Sequence, residues 1–285
     1  LWAAWRRGYF EREGLDVEVV LMRGTAPAVQ AMIAGSIFVG LIANDGPIAA
    51  VEQGMDLAMV ASSSKITHML IGGKNYKTYE DLRGATIGSS TLTSGTAFVL
   101  RRALKTKGLE YPRDYKLLVI AGGSATNLAA LQSGQISATT VAVPLNFAAE
   151  EAGFNVIGKL SDSVPFFQTN VIAMRRSWAE KNRPIAVRFM RGMVQSLRWL
   201  HDNRDAAVDF LTKEMQLKSA HARKGWEFYT QNRFWPPDGE VTMEGLKYNI
   251  RIYAEQTGVK GPLPEPAKYV DQSYLDEALQ ELNKR

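Results

Sequence analysis

Six short runs, five of which contain Ser, Thr, Asn or Gly, each follow a predicted strand, and most of them lead into a predicted helix. The runs are residues 23–26, 44–47, 62–64, 91–96, 122–127 and 143–144. Hydroxyl groups and the free N–H groups of a helix start can bind an anionic group, and glycine lets the backbone approach it closely. Taken singly, each run has an ordinary explanation as a helix cap or a turn. Six of them in one chain favour a binding site for a small polar molecule.

The side chains that catalysis or metal binding would need are few and scattered. The chain has three histidines and no cysteine, which excludes thiol nucleophiles, disulfides and thiolate metal sites. His201 and His221 fall on surface-like helical stretches, whereas His68 begins a predicted strand, where it can contact a ligand or serve a structural role. We interpret Asp45 as a brace of its loop rather than a cation ligand. No metal-site spacing, phosphate-loop lysine motif or Gly-x-Ser-x-Gly motif occurs. The pattern predicts binding without catalytic residues, metal or cofactor.

The elements that position these runs occur twice along the chain. In each copy a hydroxyl residue precedes a helix-ending glycine by ten positions, and another glycine follows nineteen residues later. The positions are Thr25, Gly35 and Gly54 in the first copy and Ser124, Gly134 and Gly153 in the second. A strand-like run, a proline and an alanine-rich helix lie between the two glycines of both copies. We interpret this as two copies of one helix–strand–helix–strand–helix unit, with Thr25 as the N-cap of its helix.

Composition and the alternation of elements indicate the fold class. Strand-like and helix-like segments alternate, which predicts an α/β protein with parallel sheets covered by helices. A chain of 285 residues is long enough for two lobes with separate cores. No apolar run approaches the roughly 20 residues of a spanning helix. The formal net charge of +5 is modest and its charges are interspersed, so we expect no nucleic-acid partner, whereas small anions suit it.

The periodicity of apolar residues predicts the following elements. The strands are residues 17–22, 37–43, 57–61, 68–71, 85–88, 117–120, 136–142, 155–157 and 166–173. The helices are residues 1–13, 25–34, 48–53, 97–107, 126–133, 184–201, 205–214, 220–232, 243–257 and 273–282. We interpret residues 79–84 as a crossing between lobes and expect the long C-terminal helices to complete the first lobe. Because the chain opens on a helix, we expect a first strand and any signal peptide to lie outside this sequence.

Four stretches carry a resemblance to a known family. Residues 8–18 read GYFEREGLDVE, residues 31–40 AMIAGSIFVG, residues 80–88 EDLRGATIG and residues 130–136 ALQSGQI. In this order they resemble landmarks of the solute-binding proteins of the nitrate/sulfonate/taurine class of ABC transporters. The chain is also similar to the binding proteins for thiamine-pyrimidine precursors. The likeness covers the chain to about residue 175 and is weaker in the C-terminal helices.

The resemblance implies a periplasmic-binding-protein type II fold, in which two lobes close on a small solute. It implies a first lobe of residues 1–83 plus 170–285 and a second of residues 84–169, each a mainly parallel sheet flanked by helices. The solute would lie between the lobes, touching loops that match the following residues. They are Asn44, Asp45, Ser62, Ser63, Thr93, Ser94, Gly95, Thr96, Gly123, Ser124, Ala125, Thr126, Val143 and Pro144. We add His68 from its position in the chain.

The implied function is delivery of a small organic anion to an ABC permease and its ATPase. The ligand would be a sulfonate, a carboxylate or an aromatic acid, and the protein a periplasmic or lipid-anchored monomer. Two alternatives use the same fold. An enzyme that makes the thiamine pyrimidine needs an active-site histidine and, in its fungal forms, a cysteine-rich segment, but this chain has no cysteine. A ligand-sensing domain of a transcription regulator needs an upstream DNA-binding segment, and none is visible in these residues.

Overall fold

The computed structural model describes residues 1–22, 24–258 and 262–284. The strands are β1 (Val39–Ala43), β2 (Leu57–Lys65), β3 (His68–Gly72), β4 (Thr86–Ser89), β5 (Lys116–Val119), β6 (Ala138–Ala142), β7 (Asn155–Lys159) and β8 (Gln168–Arg175). The first seven helices are α1 (Trp2–Arg6), α2 (Tyr9–Arg12), α3 (Thr25–Ala34), α4 (Asp45–Glu52), α5 (Gly95–Lys105), α6 (Ser124–Gln132) and α7 (Leu145–Glu151). The remaining helices are α8 (Arg176–Lys181), α9 (Arg183–Asp202), α10 (Arg204–Glu214), α11 (Ser219–Gln231), α12 (Met243–Thr257) and α13 (Ser273–Leu282).

The chain divides into two compact units. Among the described residues, the first unit comprises Leu1–Lys65, Gln168–Ala207 and Tyr229–Arg285. The second comprises Ile66–Phe167 and Val208–Phe228. No helix in the described ranges combines the length and the apolar character needed to cross a membrane.

The first unit is built on a three-stranded sheet in the order β1–β8–β2. β8 runs antiparallel to both neighbours, and Asn170 lies opposite Ala43 on one side and Ser64 on the other. The long helix α9 supplies much of the core, where Phe189 stacks on Phe10 with ring centroids 4.7 Å apart. A network of polar side chains anchors the same helix, because Arg191 Nε and Gln195 Nε2 both donate to the Glu13 carboxylate, at 2.6 and 2.7 Å.

The second unit is built on a five-stranded sheet in the order β5–β4–β6–β3–β7. β4 runs parallel to β5 and β6, whereas β3 runs antiparallel to β6 and β7. The sheet of the first unit is therefore antiparallel and that of the second unit is mixed, which corrects the prediction of mainly parallel sheets. The reason is that β3 and β8 each pair between two strands that run the opposite way, a long-range event that local periodicity does not report.

The predicted internal repeat is confirmed for its helix–strand–helix portion, whereas the first strand of the unit is β5 in the second copy and has no counterpart among the described residues of the first. α3–β1–α4–β2 in the first copy corresponds to α6–β6–α7–β7 in the second. Gly35 and Gly134 follow the corresponding helices with φ angles of 79° and 78°, a left-handed conformation that favours glycine. One detail differs from the prediction. Gly24 is the N-cap of α3 and Thr25 is its first residue, so Thr25 does not cap the helix.

Two predictions near the N-terminus need correction. Residues 17–22 belong to no strand ladder in the described part of the chain, although Val17 and Met22 pack against core clusters. Val20 and Leu21 are exposed. An alternating apolar pattern makes a strand only where a neighbour offers backbone partners, and no described strand does so here. The single helix predicted for residues 1–13 is two helices, α1 and α2, separated at Gly8, whose φ is 70°.

The two units differ from the predicted lobes in residues 66–83. These residues lie in the second unit because β3 pairs with β6 and β7. The stretch interpreted as a crossing is a turn inside that unit. Asp81 accepts hydrogen bonds from the Lys77 and Thr78 N–H groups, both at 2.8 Å. Arg83 pairs with Glu80 at 2.9 Å, which holds the turn together.

Part of the C-terminal helical region also lies in the second unit rather than the first. Residues 208–228 pack there through contacts with the α7 region. Lys218 pairs with Glu151 at 2.6 Å, and Gly225 packs so closely on Pro144 that a Cβ atom would lie 2.9 Å from the proline ring. Amphipathic spacing predicted these helices but not the unit that they cover.

Candidate functional site

In the second unit, the strand directions bring several predicted site residues to one edge of the sheet. β4, β5 and β6 run parallel, so their carboxyl ends lie at the same edge and lead into α5, α6 and α7. β3 runs the other way, and its first residue, His68, lies opposite Ala142 at the end of β6. The loops that contain residues 93–96, 123–126 and 143–144 therefore share this edge with His68.

The loop before α5 combines capping with accessible hydroxyls. Ser94 is the N-cap, and its Oγ accepts a hydrogen bond from the Ala97 N–H at 3.3 Å. Gly95 is buried against the Phe167 ring, where a Cβ atom would lie 2.7 Å from a ring carbon. Thr93 is exposed and Thr96 is half-buried. This loop therefore presents two threonines beside a capped helix start.

The start of α6 is arranged differently. Gly123 is the N-cap with a φ of 81°, and no side chain caps the helix. The Ser124 Oγ instead accepts a hydrogen bond from the Ala142 N–H at 3.0 Å, which ties α6 to the end of β6. Ala125 and Thr126 are exposed. An uncapped helix start with a positive dipole end suits an anionic or carbonyl oxygen.

Val143 and Pro144 form the buried connection between β6 and α7 at this edge. Both are buried, and the Val143 N–H donates to the Thr67 carbonyl at 3.2 Å. The peptide bond between them is cis, and Pro144 is the N-cap of α7. The structure thus places these two predicted contacts beneath the surface.

His68 is half-buried and carries an uncharged imidazole at neutral pH. Burial lowers the pKa of His68 from its ordinary value of 6.5 to about 4. Its Nδ1 atom is buried and has no hydrogen-bond partner among the described residues. A neutral imidazole at this edge offers hydrogen bonding without charge.

One residue at the same edge belongs to the polar run 122–127 but is not among the predicted ligand contacts. Asn127, in the first turn of α6, is only 2% exposed, and its Nδ2 donates to the Ser90 Oγ at 3.1 Å. Its Oδ1 atom is buried without a partner among the described residues. The available signal was an asparagine inside a helix, where its propensity is low, three residues after a Gly-Gly-Ser run.

In the first unit, the ends of β1 and β2 lie at the same sheet edge as the start of β8. Asn44 follows β1 and is buried, and its Nδ2 donates to the Gln168 carbonyl oxygen. Its backbone N–H donates to the Thr169 carbonyl at 3.0 Å. Asp45 is half-buried and begins α4. The Asn44 amide therefore holds β1 against β8.

The Ser62–Ser63–Ser64 run lies within β2, which corrects its prediction as a loop. The strand continues to Lys65 because it pairs with β8, and its register shifts between Ser62 and Ser64. Ser62 is buried and its N–H donates to the Gly239 carbonyl at 2.8 Å. Ser63 lies at the irregularity and is half-buried. A bulge of this kind re-aims a side chain.

Polar residues at the start of β8 complete this edge and were not predicted. Gln168, Thr169 and Asn170 are three successive polar residues in an otherwise apolar strand, which was the available signal. The Asn170 Nδ2 donates to the Ser64 Oγ at 3.2 Å. The Gln168 Oε1 and Thr169 Oγ1 atoms are buried without partners within the described ranges. Arg23, part of the first polar run, lies outside the described residues.

The other two histidines are less exposed than predicted. His201 Nε2 lies 3.1 Å from the Trp235 carbonyl oxygen. His221 is 9% exposed, and its Nε2 lies 3.1 Å from a Glu151 carboxylate oxygen. Across the residues that the structure describes, His, Asp and Glu side chains do not gather in threes around a possible metal position.

Comparison with known sequences gives one family and distant relatives. The model of a family described as "NMT1/THI5 like" matches residues 1–207. The formylaminopyrimidine-binding protein of Halalkalibacterium halodurans is 21% identical over 215 residues, which cover 74% of this chain. The match spans 64% of that relative, slightly less than two thirds of its length.

Comparison with solved structures confirms the predicted fold. The alkanesulfonate-binding protein SsuA from Xanthomonas axonopodis pv. citri, bound to MOPS, has a TM-score of 0.75 and 18% identity, covering 94% of this chain and 92% of its own. The periplasmic nitrate-binding protein NrtA from Synechocystis PCC 6803 has a TM-score of 0.76 and 14% identity, covering 99% and 85%. At these identities the likeness shows a shared periplasmic-binding-protein fold.

Proposed function

Because the chain belongs to the NMT1/THI5-like family, we propose that it is the solute-binding component of an ABC importer. It captures a small organic anion, which is a sulfonate, a carboxylate or an aromatic acid, and delivers it to a membrane permease and its ATPase. It acts outside the cytoplasm as a monomer and catalyses no reaction. The observation that carries this proposal is the uncapped start of α6 beside the polar residues at the carboxyl edge of its sheet.

We assign the ligand contacts in the second unit to hydroxyl and backbone donors. Thr93, Thr96 and Thr126 are accessible, and the first N–H groups of α6 face the same edge. Ser124 accepts a backbone hydrogen bond, which orients its hydroxyl while leaving its own hydrogen to donate, and Ser94 contributes as the N-cap of α5. His68 and the exposed Ala125 backbone are further contacts, whereas Val143 and Pro144 act by shaping the loop.

In the first unit we assign the contacts to the edge formed by β1, β2 and β8. Asn44 and Ser62 are buried and position the backbone, while Asp45 and Ser63 are half-buried and reach the surface. The relatives support a small polar solute, since they are named as binding proteins for formylaminopyrimidine, alkanesulfonate and nitrate.

A thermal-shift screen tests the proposal directly. The panel contains small sulfonates, carboxylates, nitrate, aromatic acids and pyrimidines. A ligand that binds only the folded protein raises the Tm with increasing concentration, and we expect this for an organic anion without any product formation. No shift with any anion would contradict the proposal. Turnover of a hit would instead support the thiamine-pyrimidine synthase-like alternative.

Replacing the proposed hydroxyl donors should weaken binding without unfolding the protein. We expect Thr96→Ala and Ser124→Ala each to raise the Kd for the screened anion by roughly tenfold or more, since hydrogen bonds to charged groups contribute about 1.5–3 kcal/mol. Titration calorimetry measures the change. Ser133→Ala is the matched control, because its hydroxyl donates to the Ala130 carbonyl near the other end of α6. Unchanged affinity in both test variants would refute the site assignment.

A further inference from the structure

We propose that Asn127 is a specificity-determining residue, and that it selects organic acids that carry an amide or amino N–H group. The inference rests on the proposed function, because it assumes that an organic anion binds at the α6 edge. It goes further by naming a residue outside the predicted site and a second chemical group that the ligand must have.

The Asn127 side chain is buried and keeps one polar atom without a partner among the described residues. It is 2% exposed, which makes it one of the most buried polar residues of the protein. Its Nδ2 donates to the Ser90 Oγ at 3.1 Å, while its Oδ1 faces no donor among the described residues. Buried amide oxygens are almost always hydrogen-bonded, so this atom calls for a donor from outside the chain.

Asn127 lies in the first turn of α6, at the carboxyl edge of the sheet. Two contacts locate the first turn of α6, one from Ser124 to the Ala142 N–H at 3.0 Å and one from Asn127 to Ser90, just after β4. The Asn127 amide therefore lies at the carboxyl edge of the sheet, with the uncapped N–H groups of the same turn. His68, opposite Ala142, adds a second buried and unpartnered atom at this edge.

The hydrogen-bonding groups at this edge determine which groups a ligand must carry. The N–H groups at the start of α6 only donate, so they require an oxygen acceptor on the ligand. The Asn127 Oδ1 only accepts, so it requires a ligand donor. A plain alkanesulfonate or nitrate supplies hydrogen-bond acceptors alone. An organic acid that also carries an amide or amino group supplies both an acceptor and an N–H donor. Sites that hydrogen-bond a ligand N–H reject analogues without it, because a buried polar atom is then left unpaired.

Matched pairs of acids test this requirement on the intact protein. N-acetylglycine and levulinate have the same shape and charge but differ by NH against CH₂, and 4-aminobenzoate and 4-methylbenzoate differ by NH₂ against CH₃. We expect the wild-type protein to bind the N–H member of a pair with roughly tenfold or greater preference by titration calorimetry. Asn127→Leu should reduce this preference to about twofold or less while still binding the anion.

Two further variants separate recognition from folding. Asn127→Asp keeps the shape and the acceptor oxygen, so it should weaken both members of a pair by charge repulsion while retaining the preference for N–H. Asn155→Leu is the control, since Asn155 donates to the Gly73 carbonyl at the opposite end of β3 and should keep the wild-type preference.

The outcomes distinguish this inference from the proposed function. Equal affinity of the wild-type protein for both members of every pair that it binds would overturn the role of Asn127 and leave the proposed function standing. An N–H preference that survives in Asn127→Leu would overturn it as well. If the wild-type protein binds no acid in either pair or in the anion screen, the proposed function fails and this inference fails with it.

Discussion

At the scale of single residues, hydroxyl and amide side chains serve the fold and the proposed site together. Ser124 shows this most clearly, because its Oγ accepts the Ala142 N–H and is thereby held at the sheet edge with its own hydrogen still to donate. Asn44 differs from Ser124, because its amide nitrogen already donates to the Gln168 carbonyl oxygen and is not available to a ligand. A polar residue in a ligand loop is therefore a contact only through the atoms that the fold leaves unused.

The neutral state of His68 leads to a prediction about stability in acid. Its pKa is about 4 in the folded protein against 6.5 ordinarily, because burial disfavours the charged ring. Between these values the unfolded chain binds more protons, so stability is complete above pH 6.5 and falls as the pH is lowered. We expect a loss of about 3 kcal/mol of unfolding free energy by pH 4 from this group alone.

Urea unfolding between pH 7 and pH 4 measures this loss. His68→Gln lacks the titrating ring and should lose less unfolding free energy than the wild-type protein over the same range. His201→Gln keeps His68 and should retain the wild-type acid dependence. If His68→Gln and the wild-type protein lose the same amount, burial does not hold the imidazole neutral.

At the scale of elements, the polar network on α9 joins α9 to α13 and to the end of α2. Arg191 contacts both Glu13 and Glu281, and its side chain is 12% exposed against 3% for Glu13. An uncompensated buried carboxylate is costly, so we expect Arg191→Met to lower the unfolding free energy by about 3–5 kcal/mol. Denaturant unfolding monitored by circular dichroism measures the change.

Another arginine of the same helix provides the matched control for this prediction. Arg198 pairs with Asp238 at 2.8 Å, but both side chains are substantially exposed. Solvent screens such a pair, so Arg198→Met should cost about 1 kcal/mol or less. Equal losses in the two variants would show that the Glu13 carboxylate does not depend on Arg191.

At the scale of the whole molecule, each unit is assembled from separate stretches of chain. The first unit uses three stretches and the second uses two. Ligand binding to the folded protein should therefore be visible in global unfolding. At a free ligand concentration of 100 times the Kd, we expect about 2.7 kcal/mol of added unfolding free energy.

Urea titrations with and without the screened anion measure this gain. The midpoint should rise while the slope of free energy against urea stays constant, because the surface exposed on unfolding is nearly the same. A panel compound that gives no thermal shift is the control. A gain that does not grow with ligand concentration would contradict binding to the folded state alone.

The sequence by itself determined most of the helices, the helix–strand–helix portion of the repeat and the positions of most polar loops. Helix bounds such as Met243–Thr257 and Ser273–Leu282 agree with the prediction because amphipathic spacing and terminal residues act over a few positions. Gly35 and Gly134 directly follow the helices that they end, so this signal is local in sequence as well. The family resemblance rested on short motifs, which are local too.

Only the tertiary structure decided which residues pair, are buried or are left without partners. Ser62 to Ser64 lie in a strand because β8 pairs with them, and β8 is separated from them by about one hundred residues of chain. Residues 66–83 join the second unit through β6 and β7 for the same reason. Asn127 became informative only when its burial and its unpaired oxygen were known. These properties depend on contacts between distant segments, which local sequence pattern does not encode.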